Sequence, residues 1–427
     1  MQTVLRKAVG ALAVLLRCLV VWSVFLLLLW LTHGAGGGGV AFAGAVLAAG
    51  AAWWRWRRGA APLAAGWRGG VMLLVLAPLA YVLVPLGPAM LPPLPPDPSV
   101  QLWPTGAGRA VAVYRYAPSA KARARGVALV FVHGGPGGSV RDFDRAFFST
   151  FADAGFDVVL YDQFGSGRSP LGDTSAYTHD GNVADLLAVL TRVNRPAVLV
   201  GQSYGAILVT SALANPEVRR RVSHVVLTEP GQLPGAAFSL NPSLSAKTTL
   251  AAAGQPASAA AAAQLFAPRA MLAAMLPPGS RFAPQEEIVG HYTAEVQRAL
   301  LASAFCKGDD RLLNAWQPTR FNLLVNGPIL RQAQASAAPR LHDLAAPVLL
   351  LLGECSYIPR GRAMEYFDAY AIARSHLIHG VGHIPWGNAE GQRQMRAAIL
   401  SFVDGQPGPL PDEPNQSTRR QFVASGR

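Results

Sequence analysis

The chain holds 427 residues, of which 14% are charged and 51% hydrophobic, and its mean hydropathy is +0.26. A composition this apolar excludes intrinsic disorder and implies that part of the chain meets lipid. The formal charge of +13 does not mark a nucleic-acid partner: residues 1–99 carry seven basic residues against Asp97 alone, and the other 30 basic and 23 acidic residues, of totals 37 and 24, form no basic stripe.

No Asp, Glu, Lys or Arg occurs from Cys18 to Trp54, and a second uncharged apolar stretch runs from Gly69 to Leu91. A bilayer crossing takes about 20 apolar residues. The first stretch is too long for one helix and is broken by the glycines of 34–39, so it divides into spans at about 10–32 and 38–54, with a third at about 70–88. Arg17 sits near a span end, where its stem can carry the charge to the headgroups, and Trp53, Trp54, Trp56 and Trp67 suit an interfacial belt. Arg6 and Lys7 precede the first span, and Arg55, Arg57, Arg58 and Arg68 separate the second from the third. The positive-inside rule therefore puts the N-terminus and the Arg-rich loop in the cytoplasm and everything after residue 90 outside it. With only two real spans, the domain would face the cytoplasm. The Pro-rich 91–99 is a stiff spacer.

Residues 100–405 alternate short apolar runs with amphipathic stretches, the pattern of an α/β domain with a mainly parallel sheet. Seven strands are expected, at 110–116, 127–132, 157–162, 197–201, 224–228, 348–353 and 375–380. The Ala-rich, strand-poor stretch 231–345 is expected to be a helical insertion, and the polar tail 406–427 to be disordered.

Three motifs fall at the ends of these strands. In VLVGQSYG the glycines at 201 and 205 flank Ser203 between an apolar strand and a helical run, a pattern that lets the chain turn sharply and present a nucleophilic hydroxyl above the sheet. HGGPGGS follows the second expected strand. There the backbone N–H of Gly135, with that of Tyr204 after the serine, would stabilise a developing oxyanion. A phosphate-binding loop is a poorer reading, since no Gly-Lys-Ser/Thr is present and Val140 breaks G-x-G-x-x-G. In HLIHGVGHIPW, His383 follows the last strand and a glycine turn. It is the candidate base, because a serine hydroxyl needs a neighbouring imidazole to become nucleophilic.

HGGPGG together with YDQFGSGRS (161–169) resembles the α/β-hydrolase superfamily and, within it, the proline iminopeptidase-like branch, over 100–405. The resemblance implies an eight-stranded, mostly parallel sheet with a helical cap at 231–345 after the sixth strand. It implies further that Asp162, Gly165, Gly167 and Ser169 form a loop near the site, which their composition equally explains as a well-capped turn. Relatives bind the substrate's free amine with cap carboxylates, for which Glu286, Glu287 and Glu295 are the counterparts here. Glu286 and Glu287 also suit a helix start, where acidic residues favour the dipole without any ligand.

The triad acid is the departure. Where relatives carry Asp, three residues past the glycine ending the seventh strand, this chain has Ser356. Two carboxylates compete: Glu229, ending the sixth strand, and Glu354, two residues before the serine. Both stay open.

The expected activity is membrane-anchored hydrolysis of a small peptide or ester through an acyl-enzyme. The alternatives are a lipid or aryl carboxylesterase and, because of Ser356, a catalytically idle binding module. No cofactor is implied, and no His/Cys/Asp/Glu spacing suits a metal. Cys306 and Cys355 would face an oxidising compartment and could pair, although buried free thiols are commoner.

Overall fold

The computed structural model describes residues 2–59, 65–87, 91, 93–233, 263–276, 280–309, 311–335, 339–415 and 417–425. It divides into two units, residues 1–91 with 266–291, and residues 92–265 with 292–427.

The first unit holds helices Gln2–Leu31, Gly39–Gly59 and Ala65–Tyr81. Two stretches, Leu12–Leu31 and Ala35–Trp54, are long and apolar enough to cross a membrane, with mean hydropathy 2.7 and 1.5. The apolar part of the third helix, Val71–Tyr81, is shorter than a full crossing. Outward leucines such as Leu27, Leu47 and Leu74 are exposed, while Val21, Phe25, Ala45 and Val75 pack together inside.

Part of the expected cap belongs to this unit. Phe282 is buried in its core, and the Arg281 N–H donates to the His33 carbonyl (2.7 Å) in the turn between the first two helices. Arg269 pairs with Glu287 (2.7 Å) and donates to the Val82 carbonyl (3.2 Å) beyond the third helix. The insertion 231–345 is therefore divided between the two units, since its apolar side chains find partners in both. Its Ala-rich run 251–263 lies, except for Ala263, outside the described residues.

The second unit is built on an eight-stranded mixed sheet of order β1-β2-β4-β3-β5-β6-β7-β8. The strands are β1 Val100–Gly106, β2 Arg109–Tyr116, β3 Ala128–Val132, β4 Asp157–Asp162, β5 Ala197–Gln202, β6 Val222–Thr228, β7 Val348–Gly353 and β8 Ile372–Ile378. Strands β1/β2 and β2/β4 pair antiparallel, and the other pairs are parallel. The central strands are continuous apolar runs because both faces are covered. Val130, Val132, Leu199 and Val225 point into one core with helices His179–Val193 and Tyr204–Ala212. Phe131, Val198, Val200 and Leu351 point into the other with helix Ala389–Val403.

Sequence reading misses β1, whose Pro104 and Gly106 are poor strand formers; an edge position tolerates both. It also starts the last strand three residues late and ends it two residues late; His379 lies in the turn after β8 and only His376 within it. The tail makes contacts where it is described. Asp412 accepts the Ser375 N–H (2.7 Å) and the Pro411 carbonyl lies 2.7 Å from His376 Nδ1, which covers part of the open edge of β8; a helix follows at Arg419–Ser425.

Candidate active site

Strand β5 delivers Ser203 onto a turn with φ 56° and ψ −119°, and the helix Tyr204–Ala212 starts at the next residue. A non-glycine backbone held there costs on the order of 1–3 kcal/mol and persists only where its surroundings fix it. Here β5 is clamped between β3 and β6, and the Ser203 N–H continues the ladder to the Thr228 carbonyl (3.0 Å). The flanking glycines are required by close approach. A Cβ at position 205 would stand 2.0 Å from the Val132 carbonyl oxygen, and one at 201 would stand 2.7 Å from that of Gly205.

Three loops meet above this turn. The Gly134 N–H donates to Gln202 Oε1 (3.0 Å), and Gln202 Nε2 donates to the His383 carbonyl (3.1 Å). Gln202 thus joins the glycine turn, the serine turn and the histidine loop, a role its place in the motif does not signal. Gly135, next along, has an N–H with no protein acceptor among the described residues. Tyr204 is the first residue of its helix, so its N–H has no acceptor one turn back. The Tyr204 side chain is held below by Asn182 Nδ2 (3.1 Å) and the His179 ring (3.0 Å).

Ser203 and His383 line one cavity of about 240 Å³, together with Gly134, Gly135, Arg141 and Tyr357. The Tyr357 ring lies against the imidazole, centroids 4.3 Å apart. His383 is buried, and its Nδ1 has two neighbours: Glu229 Oε2 at 3.5 Å and Ser356 Oγ at 3.5 Å. Glu229, with φ 49°, sits one residue past β6 and is 2% exposed; its other oxygen accepts the Gly353 N–H. Glu354 lies elsewhere. It is exposed, accepts the Gly380 N–H (2.9 Å), which holds its carboxyl below the usual range, and faces His379 at 3.7 Å.

None of the three cap carboxylates lines the cavity. Glu287 is tied to Arg269 and to the Leu86 N–H (2.9 Å) in the first unit, which also contains Glu286; Glu295 is exposed. Asp162 forms the core of its loop: Oδ1 accepts the Val140 N–H (2.7 Å) and Oδ2 the Arg168 N–H (2.8 Å), while burial lifts its pKa to about 6. Ser169 donates to the Asp162 carbonyl (2.6 Å). Gly167 sits against the same carboxyl and Gly165 against Tyr177, the contacts of a capped turn. Cys306 and Cys355 are bonded, and Cys18 is the free cysteine. No group of three or more His, Cys, Asp or Glu side chains that could hold a metal occurs among the described residues.

Strand order, serine turn and a buried imidazole define an α/β-hydrolase architecture. A family model, the alpha/beta hydrolase family, matches residues 129–393, more than half of the chain, and the chain belongs to that family. Two curated relatives are proline iminopeptidases. That of Lactiplantibacillus plantarum is 39% identical over 82 residues, 19% of this chain and 28% of the relative; that of Saccharolobus solfataricus is 43% identical over 83 residues, 19% and 26% respectively. The chain thus matches only about a quarter of the length of these relatives. Among solved structures, the proline iminopeptidase-related protein of Thermus thermophilus aligns at TM-score 0.46 and 20% identity, covering 71% of this chain and 98% of that one.

Proposed function

We propose that this protein is a membrane-anchored serine hydrolase that cleaves an ester or amide through an acyl-enzyme. The observation that carries the reading is the strained Ser203 sharing a cavity with His383, behind which Glu229 stands 3.5 Å from Nδ1. In this mechanism His383 Nε2 takes the Ser203 proton as Oγ attacks the carbonyl, and the Gly135 and Tyr204 N–H groups stabilise the oxyanion. The protonated imidazole, steadied by Glu229, gives its proton to the leaving alcohol or amine. Water then attacks the acyl-enzyme with His383 as base, releasing a carboxylic acid and restoring the serine.

The partial likeness to proline iminopeptidases favours aminopeptidase action, the first specificity to assay. A carboxylesterase is the second reading, favoured by one observation: no carboxylate that could hold a substrate ammonium lines the cavity among the described residues.

Anchoring is supported by the two apolar helices and by contacts within the first unit. The turn at His33 and the end of the third helix both bond to residues 269–287. In a three-span anchor that turn and that end lie on the same side as this part of the insertion. With arginines inside, the hydrolase domain is extracytoplasmic, and the Cys306–Cys355 bond agrees with an oxidising compartment.

A fluorophosphonate probe tests the chemistry on the full chain in detergent. Wild type is expected to label, and Ser203→Ala to abolish labelling. A folded wild-type protein that does not label would overturn the hydrolase and leave a tethered binding module. Prolyl-naphthylamide and short- and long-chain esters then separate the specificities.

A further inference from the structure

Among the described residues, Arg141 is the permanently charged side chain of the cavity wall. It is fixed from one side only. Its Nε and Nη2 bond both oxygens of Asp144 (2.7 and 2.9 Å), and Asp144 is itself fully buried and also accepts the Trp386 indole N–H (2.8 Å). The guanidinium lies over the Phe143 ring, 4.8 Å from its centroid. This arrangement leaves Nη1, with two N–H groups, without a protein acceptor among the described residues. A guanidinium whose plane is already set loses little freedom on meeting a second planar anion.

No Asp or Glu lines the cavity itself among the described residues. The sequence contains no Asp or Glu between Glu229 and Glu286, so the Ala-rich part of the insertion cannot supply a carboxylate. Beyond it, Glu287 is held by Arg269, and Asp309 bonds Asn388 (2.6 Å). Asp144 balances the Arg141 charge but spends both oxygens on it, so a substrate ammonium would meet no carboxylate on the cavity wall among the described residues. A substrate carboxylate would find two free donors. Resting on the serine-hydrolase reading above, and choosing its esterase form over its aminopeptidase form, we propose that the substrates are acyl compounds bearing a carboxylate or similarly compact anionic group, and that Arg141 is the specificity-determining residue that holds it.

The test uses the full-length enzyme in detergent, with mono-p-nitrophenyl glutarate and adipate against p-nitrophenyl pentanoate and hexanoate, pairs of equal chain length. Rates are corrected with the Ser203→Ala variant. The expected result is a kcat/KM ratio of anionic to neutral ester about 10- to 100-fold in favour of the anion, carried mainly by KM, which is the range of a charge-assisted hydrogen bond. Arg141→Gln should bring the ratio close to one, and Arg141→Lys should keep part of it. A ratio on one preparation cancels the active fraction, so partial misfolding of the Gln variant does not mimic the effect. A wild type that prefers the neutral esters or prolyl-naphthylamide overturns the proposal, as does an unchanged ratio in a folded Arg141→Gln. If wild type labels with fluorophosphonate, either result sinks the Arg141 assignment alone. Absence of labelling sinks the hydrolase reading with it.

Discussion

Glu229 Oε2 stands 3.5 Å from His383 Nδ1, and it gets there from the end of β6 rather than from the turn after β7. The adjacent end of β7 makes this possible, because the Gly353 N–H holds one carboxylate oxygen and leaves the other for the imidazole. Replacing Glu229 by Ala is expected to lower kcat on an activated ester by about 10²- to 10⁴-fold with little change in KM, since the charge is needed when His383 becomes cationic. Glu354→Ala, whose carboxylate faces His379, should stay within about twofold of wild type. Ser356 Oγ already lies 3.5 Å from the same Nδ1, so Ser356→Asp added to Glu229→Ala should recover part of the loss. Steady-state kinetics of the four proteins check this. A fully active Glu229→Ala would remove Glu229 from the mechanism.

The serine turn and the histidine were legible because each needs a local pattern: close-approach glycines around Ser203, and a strand followed by a glycine turn before His383. The acid was not. Its identity depends on which strand end lies beside His383 in space, and β6 and β7 are neighbours in the sheet but more than a hundred residues apart in sequence. Gln202 escaped for the same reason, as its partner is the His383 carbonyl; Arg141 bonds Asp144 only three residues on, and what no local pattern shows is the contact of Asp144 with Trp386. The cap carboxylates have a different origin. A resemblance supplied them, and Glu287 turned out to be occupied by Arg269.

Two buried groups near the site titrate in opposition. The His133 ring lies with Nδ1 2.7 Å from the Gly134 carbonyl and accepts the Gln163 N–H at Nε2 (3.0 Å), and burial lowers its pKa to about 4. As pH falls from about 6.5 to about 4, the unfolded chain takes up a proton that the native ring refuses, and stability drops. Asp162, raised to about 6 by burial, does the reverse: its contribution is present below about 3.8 and is lost as pH rises through about 6. Between pH 4 and 6 the two slopes nearly cancel. Asp162→Asn should therefore fall off more steeply toward acid than wild type, by up to about 1.4 kcal/mol per pH unit. Thermal midpoints from pH 4 to 7 measure it, and parallel curves for the two proteins would contradict the opposition.

The Cys306–Cys355 bond ties the segment after the cavity residues Ser303 and Ala304 to the turn that carries Ser356. Its cysteines are 49 residues apart in sequence, so loop-closure entropy contributes at most about 4 kcal/mol. The double Cys→Ala variant is expected to unfold roughly 5–10 °C lower than wild type. Its activity should fall more at high temperature than at low, as the serine turn itself is untouched. Alkylation of intact cells followed by non-reducing electrophoresis should find the pair oxidised. A pair that is fully reduced in cells would argue against an extracytoplasmic domain.

The membrane topology can be decided by where three points of the first unit lie. The His33 carbonyl accepts the Arg281 N–H, and the Val82 carbonyl accepts from Arg269, so in the proposed anchor both ends share a side with residues 269–281. Reporter fusions after residues 36 and 98 are then expected to be active outside the cytoplasm, and a fusion after residue 59, beside Arg55, Arg57 and Arg58, to be active inside. The 17-residue third helix is the stringent part of the test, being shorter than the roughly 20 residues of an untilted span. A two-span anchor would put the fusion after residue 98 on the cytoplasmic side, away from the turn at His33. The bonds from Arg281 and Arg269 could not then both form across the bilayer, so that single result would refute the three-crossing anchor.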